Sequence, residues 1–134
     1  MTTTAVAARE IIQATFDDSS QGRIHFGQVV GKLMSAHVES YHVDYRSGRT
    51  TCFLPHGETQ DLHFELPSAP IADHFDADAL RAAIRGAQQG TVMYPAFKQL
   101  SQQAGCVGYT VWIAGRHVTY LGRKGEMHVE HFPD

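Results

Sequence analysis

The densest group of potential metal ligands in this chain is His128-Val129-Glu130-His131, close to its end. On a strand, His128 and Glu130 share one face and His131 takes the other, so a strand cannot offer both histidines to one ion. The helical HExxH spacing is absent. The run therefore reads as a polar, partly exposed edge strand, and no metal site is assigned. His42 and Asp44 share a strand face, and a His–carboxylate pair can make a general base. No serine or cysteine nucleophile is placed beside them by sequence, and no catalytic residue is assigned.

Other chemistry-bearing residues come in pairs. His63 and His131 are each followed by Phe. A repeated imidazole can bond a backbone carbonyl at a strand end, or it can meet a ligand. Arg49 pairs with Arg116 and Glu58 with Glu126, each flanking a strand. Loop-anchoring ion pairs are one reading, and such pairs contribute less than ~1 kcal/mol when exposed. In the other reading, two arginines face a shared cleft and grip an anion with planar, bidentate geometry. Tyr41 and Tyr109 would then be its aromatic walls. The candidate ligand-binding set is Tyr41, Arg49, Glu58, His63, Tyr109, Arg116, Glu126 and His131. Arg123-Lys124-Gly125 lacks the context of a phosphate loop.

The pairs share a spacing. Gln21-Gly22 returns as Gln89-Gly90, Tyr41-His42-Val43 as Tyr109-Thr110-Val111, Gly57-Glu58 as Gly125-Glu126, and His63-Phe64 as His131-Phe132, always 68 residues on. Gly48-Arg49 returns as Gly115-Arg116 with a one-residue slip. Such periodicity implies two copies of one supersecondary unit.

Each unit reads as helix, helix and three strands. In the first, a helix runs from about Ala5 to about Ala14 with Thr4 as its cap, and Val6, Ile11, Ile12 and Ala14 form a loose stripe. Asp17 to Gly22 reads as a loop. Phe26, Val29, Val30, Leu33 and Met34 then follow helical spacing. From Val38 the period becomes two, with strands near 38–45, 49–54 and 60–66. In the second unit Asp76 caps a helix from Ala77, with Phe75 and Leu80 as a hydrophobic staple. Pro95 opens the next helix, lined by Phe97, Leu100 and Ala104, and Gly105 closes it. Strands follow near 107–113, 117–121 and 127–132. The expectation is an α+β fold: one domain over 1–134, made of repeats at about 5–66 and 75–133 that pack about a pseudo-two-fold axis. Leu66-Pro67-Ser68-Ala69-Pro70 would be the stiff connector. Neither half is large enough to be secure alone.

Composition narrows the function classes. An apolar fraction of 43% supports a packed core, and a net charge of −3 argues against nucleic acid or anionic lipid as partner. No apolar run is long enough to span a membrane. The two cysteines, Cys52 and Cys106, form no CxxC pair and read as small buried side chains. No secretory signal is visible, so a reducing cytoplasm is the expected home.

Val38-Glu39-Ser40-Tyr41-His42-Val43-Asp44, the helix Leu80 to Arg85 leading to Gln89-Gly90, and the tail from Gly115-Arg116 through Gly125-Glu126 to His131-Phe132 resemble the YdfO/YbcV-like family. These are small bacterial and prophage-encoded proteins of unknown function, some labelled phage envelope protein. The resemblance covers about residues 5–133. It implies an α+β fold and brings no activity, cofactor or catalytic residue. At His37 the family pattern has glycine, so His37 must adopt a left-handed backbone or the helix must end differently.

The functional expectation is a non-enzymatic binding or protein-interaction module without a cofactor. Its partner would be an unknown protein or a second copy, with Trp112 as a candidate anchor if its strand face is left uncovered and no anchor if a helix covers it. The alternative is a small-molecule binder or enzyme that uses the cleft between the repeats for an anionic ligand.

Overall fold

A computed structural model describes residues 2–64 and 70–133. The stretch Leu66-Pro67-Ser68-Ala69, read as connector and strand end, lies outside the described residues. Helix α1 spans Thr2–Ser20, well past Ala14, and Thr4 lies within it rather than capping it. No proline or glycine interrupts Asp17–Ser20, so nothing local stops the helix there. Its buried stripe is Ile12, Thr15, Phe16 and Ser19, while Val6 is exposed. Thr15 can turn inward because its hydroxyl donates to the Ile11 carbonyl at 2.6 Å. Gly22, at φ +72°, ends the helix. The Arg23 N–H then reaches back to the Asp18 carbonyl at 2.9 Å.

Helix α2 spans Phe26–Ser35 and buries Val29 and Leu33. The Gln28 side chain accepts from the His25 N–H at 3.0 Å, closing the start. The chain leaves α2 through His37 at φ +65°, so the left-handed alternative is the one adopted. Strands β1 (Ser40–Asp44), β2 (Arg49–Phe53) and β3 (Thr59–His63) follow. Helix α3 (Ala77–Gln88) is capped as expected, with the Asp76 carboxylate accepting from the Ala79 N–H at 3.0 Å. Helix α4 (Tyr94–Gln103) has Pro95 in its first turn, but Leu100 on it is 41% exposed instead of lining the core. Strands β4 (Cys106–Trp112), β5 (His117–Gly122) and β6 (Met127–His131) complete the chain.

Among the described residues, six strands form one antiparallel sheet in the order β3-β2-β1-β4-β5-β6, and with four α-helices the fold is α+β. At the centre β1 pairs with β4, placing His42 opposite Thr110. Paired residues share a face, so Tyr41, Val43, Tyr109, Val111, Val118 and Tyr120 point toward the helices. His42, Thr51, Thr110, Trp112 and Thr119 point away. One buried cluster joins Ile12 and Leu33 to Leu80, Ile84 and Val111. Cys52 and Cys106 are both free and buried in it, as their small apolar character suggests.

Left-handed backbone recurs at matched places: Gly22 and Gly90, His37 and Gly105, Gly48 and Arg116, Gly57 and Gly125. Gly48 therefore corresponds to Arg116. The Phe64 N–H donates to the Gly48 carbonyl at 2.7 Å, and the Phe132 N–H to the Arg116 carbonyl at 2.9 Å. Arg49 lies opposite Asp44, whereas His117 lies opposite Trp112. His117, 68 residues after Arg49, thus holds the same place in its strand pairing, and the register shows no one-residue slip at Gly115-Arg116.

Candidate functional site

The helix layer does not close fully onto the sheet. A cavity of about 450 Å³ lies between them, walled by residues from both halves of the chain. All five tyrosines of the sequence line it: Tyr41 and Tyr45 around β1, Tyr94 at the start of α4, Tyr109 on β4 and Tyr120 on β5. Phe16 and Phe64 stand on one side, Phe26 and Phe132 on the other. The aromatic rings brace one another. Phe16 meets Tyr41 edge-on at 5.1 Å, and Tyr109 lies 5.5 Å from Tyr120 and 6.3 Å from Phe97. Ser19, Gly48 and Ala87 lie on the wall and are too small to fill the space.

The hydroxyls at the floor are wired together. The Ser101 hydroxyl donates to the Lys98 carbonyl at 3.0 Å, so its contact with the Tyr45 hydroxyl at 2.7 Å must be received from Tyr45. Burial pushes the Tyr94 phenol up to about 12, and hydrogen bonding with Tyr109 and Tyr45 pulls in the other direction. Burial raises Tyr41, Tyr45, Tyr109 and Tyr120 as well. These phenols stay protonated at neutral pH. Cys52 is likewise pushed to about 12 and Cys106 to about 11 by burial, which leaves neither thiol nucleophilic.

One wall is charged. Glu130 on β6 lines the cavity, ion-paired with Arg85 of α3 and hydrogen-bonded to His128 Nε2 at 2.9 Å. Partial burial acts to raise its pKa, but the Arg85 and His128 contacts outweigh that and hold the carboxyl below its usual value. The His128–Glu130 contact places those two side chains on one strand face, as period two requires.

The eight residues singled out by sequence divide. Tyr41 and Tyr109 meet in the cavity. His131 reaches its rim, while its ring joins a ladder on the opposite sheet face, 5.8 Å from His117, which stacks on Trp112 at 6.2 Å. The other five lie outside the cavity. Arg49 and His63 face each other across β2 and β3 at one end of the sheet. Arg116 is at the other end, its guanidinium 5.7 Å over the Phe132 ring. Glu58 precedes β3 at Arg116's end, exposed. Glu126 precedes β6 at Arg49's end and accepts from the Lys124 N–H at 2.8 Å, a contact local to its own turn. The two arginines do not converge on one cleft. His42 and Asp44 do not pair either. His42 Nδ1 contacts the Thr110 hydroxyl at 2.8 Å, and Asp44 is taken up by Arg46 and Ser47.

Sequence reasoning passes over Tyr45, Tyr94 and Tyr120, and it treats Glu130 only as a possible metal ligand. The signal for Tyr45 is present, since it shares a strand face with Tyr41. What the sequence lacks is the gap between the layers.

The family model described as "Protein of unknown function (DUF1398)" matches residues 6–131, nearly the whole chain. The chain belongs to that family. No curated protein matches it. Among the described residues, no helix is long and apolar enough to cross a membrane. Among those residues there is also no group of three or more His, Cys, Asp or Glu side chains that could hold a metal ion.

Proposed function

We propose that this protein is a non-enzymatic binding module whose site is the tyrosine-lined cavity, and that its ligand is a small, flat, largely apolar molecule. The observation behind this reading is a space of about 450 Å³ walled by every tyrosine of a 134-residue chain. Ligand sites run about 300–1,000 Å³, mostly apolar with a few placed polar groups. Among the described residues no activated nucleophile lines the cavity, which favours binding over turnover.

In this reading the cavity straddles an approximate two-fold axis that relates two helix–helix–three-strand repeats. The four matched left-handed positions support it, as does the pairing of His42 with Thr110, residues one repeat apart. The buried, unpaired thiols favour a cytoplasmic setting. The resemblance to YdfO/YbcV-like proteins favours a prophage origin. Calorimetry and thermal shift with 2-methoxynaphthalene, a neutral bicyclic probe, test the cavity. Binding should raise the melting temperature, and Ala87→Phe should abolish binding while the fold persists. A probe that never binds, or that binds Ala87→Phe equally well, contradicts the proposal.

A second reading, self-association through the open sheet face, has its own support. Trp112 is 43% exposed there, with Phe53, Met127 and Val129 also exposed on the same face. Light scattering at high protein concentration decides it. A dimer lost in Trp112→Ala supports it, and a strict monomer removes it.

A further inference from the structure

The two edge strands of the sheet differ on the face toward the helices. On β6, Glu130 lies opposite Val118 and faces the helices. The place 68 residues earlier is Leu62 on β3, opposite Thr50 and buried. His128 corresponds in the same way to Gln60, and Arg85 to Asp17. An apolar side chain thus satisfies this position at one edge, so the fold has no general need for a carboxylate at the other. Glu130 is nevertheless sequestered, its side chain only 13% exposed, and both its oxygens are held, Oε1 by Arg85 and Oε2 by His128. Each carboxylate oxygen keeps a further lone pair.

Phenols on the wall can both donate and accept, whereas Glu130 is an acceptor-only carboxylate that faces the helices. The Tyr45 proton is committed to Ser101, and Tyr94 hydrogen-bonds with its tyrosine neighbours. Arg85 already neutralises Glu130, so the pair offers hydrogen-bond acceptance without net charge. We propose that the cavity takes a neutral, flat molecule whose hydrogen-bond donor is received by the Glu130 carboxylate. This rests on the cavity being the ligand site. It adds the polar group that the ligand must carry and the residue that receives it.

The test compares 2-naphthol, which has a donor, with 2-methoxynaphthalene, which has the same rings and none. Calorimetry is done on the full chain. Wild type should bind 2-naphthol about tenfold or more tighter, as expected for a hydrogen bond to a charged group. Glu130→Leu, which installs the residue of the other edge, should erase that preference, so that the variant binds the two probes alike. Glu130→Gln, close in shape, should reduce the preference without removing the fold, and thermal melts of both variants check that they are folded. Equal affinities in wild type overturn the proposal and leave the cavity reading standing. So does a preference that survives Glu130→Leu, or tighter binding of the anion 2-naphthoate, which would move the anchor to Lys98 on the cavity wall. If neither neutral probe binds, the cavity reading fails and this inference fails with it.

Discussion

His37 holds a backbone conformation that disfavours any side chain with a Cβ, at φ +65°. Left-handed backbone costs an ordinary residue about 1–2 kcal/mol, partly offset by the greater freedom glycine has when unfolded. His37→Gly is therefore expected to stabilise the protein by about 0.5–1 kcal/mol in urea unfolding. The matching Gly105→Ala has the opposite fate. A Cβ there would lie 2.1 Å from the His74 carbonyl oxygen, so a loss of about 3 kcal/mol or more is expected. Glu130 gives a pH-dependent prediction. Its folded pKa lies below the usual value of 4.5, so its ionised form stabilises the fold above that value. The contribution is lost as pH falls through the lowered folded value. Wild type should exceed Glu130→Gln in stability at pH 7, and the gap should close as acid protonates Glu130. Asp44, also held low against the effect of its partial burial by Arg46 and Ser47, is common to both proteins and cancels. A gap that does not change with pH would show that Glu130 contributes by shape alone.

At the level of elements, α2 carries a glycine it does not need. A Cβ on Gly31 would meet nothing within 4 Å, so Gly31→Ala should raise stability by about 1 kcal/mol, read from the shift of the urea midpoint. Elements whose pattern is apolar and periodic are legible from sequence. The Phe26–Leu33 stripe, the Asp76 cap and the alternation around Tyr41 and Tyr109 all reappear in the structure. The end of α1 is not legible, because Thr15 and Ser19 read as surface residues. They are buried, and the Thr15 hydroxyl is satisfied within its own helix. Leu100 fails in the other direction: its spacing fits the α4 stripe, yet it faces outward.

Across the whole molecule, the helix and strand order read from the local patterns is the order found, and left-handed turn residues recur 68 positions apart. The spacing misleads at Arg49 and Arg116, because the second turn places an arginine where the first has Gly48. Identity of residue type suggests a match that the strand register denies. Of the five tyrosines that line the cavity, two are legible in the sequence. Tyr41 and Tyr109 are found because they recur 68 residues apart, but a cavity is a failure of two layers to meet, and no residue type announces it. The same register separates two surfaces. The tyrosine side of the sheet holds the cavity, and Trp112 is exposed on the other side.

That separation allows one decisive measurement: heteronuclear NMR of protein labelled in its tyrosine rings and tryptophan indole, titrated with 2-naphthol. The cavity reading predicts shifts concentrated in the rings of Tyr41, Tyr45, Tyr94, Tyr109 and Tyr120, with the Trp112 indole unmoved. Shifts at Trp112 with silent tyrosines would contradict it.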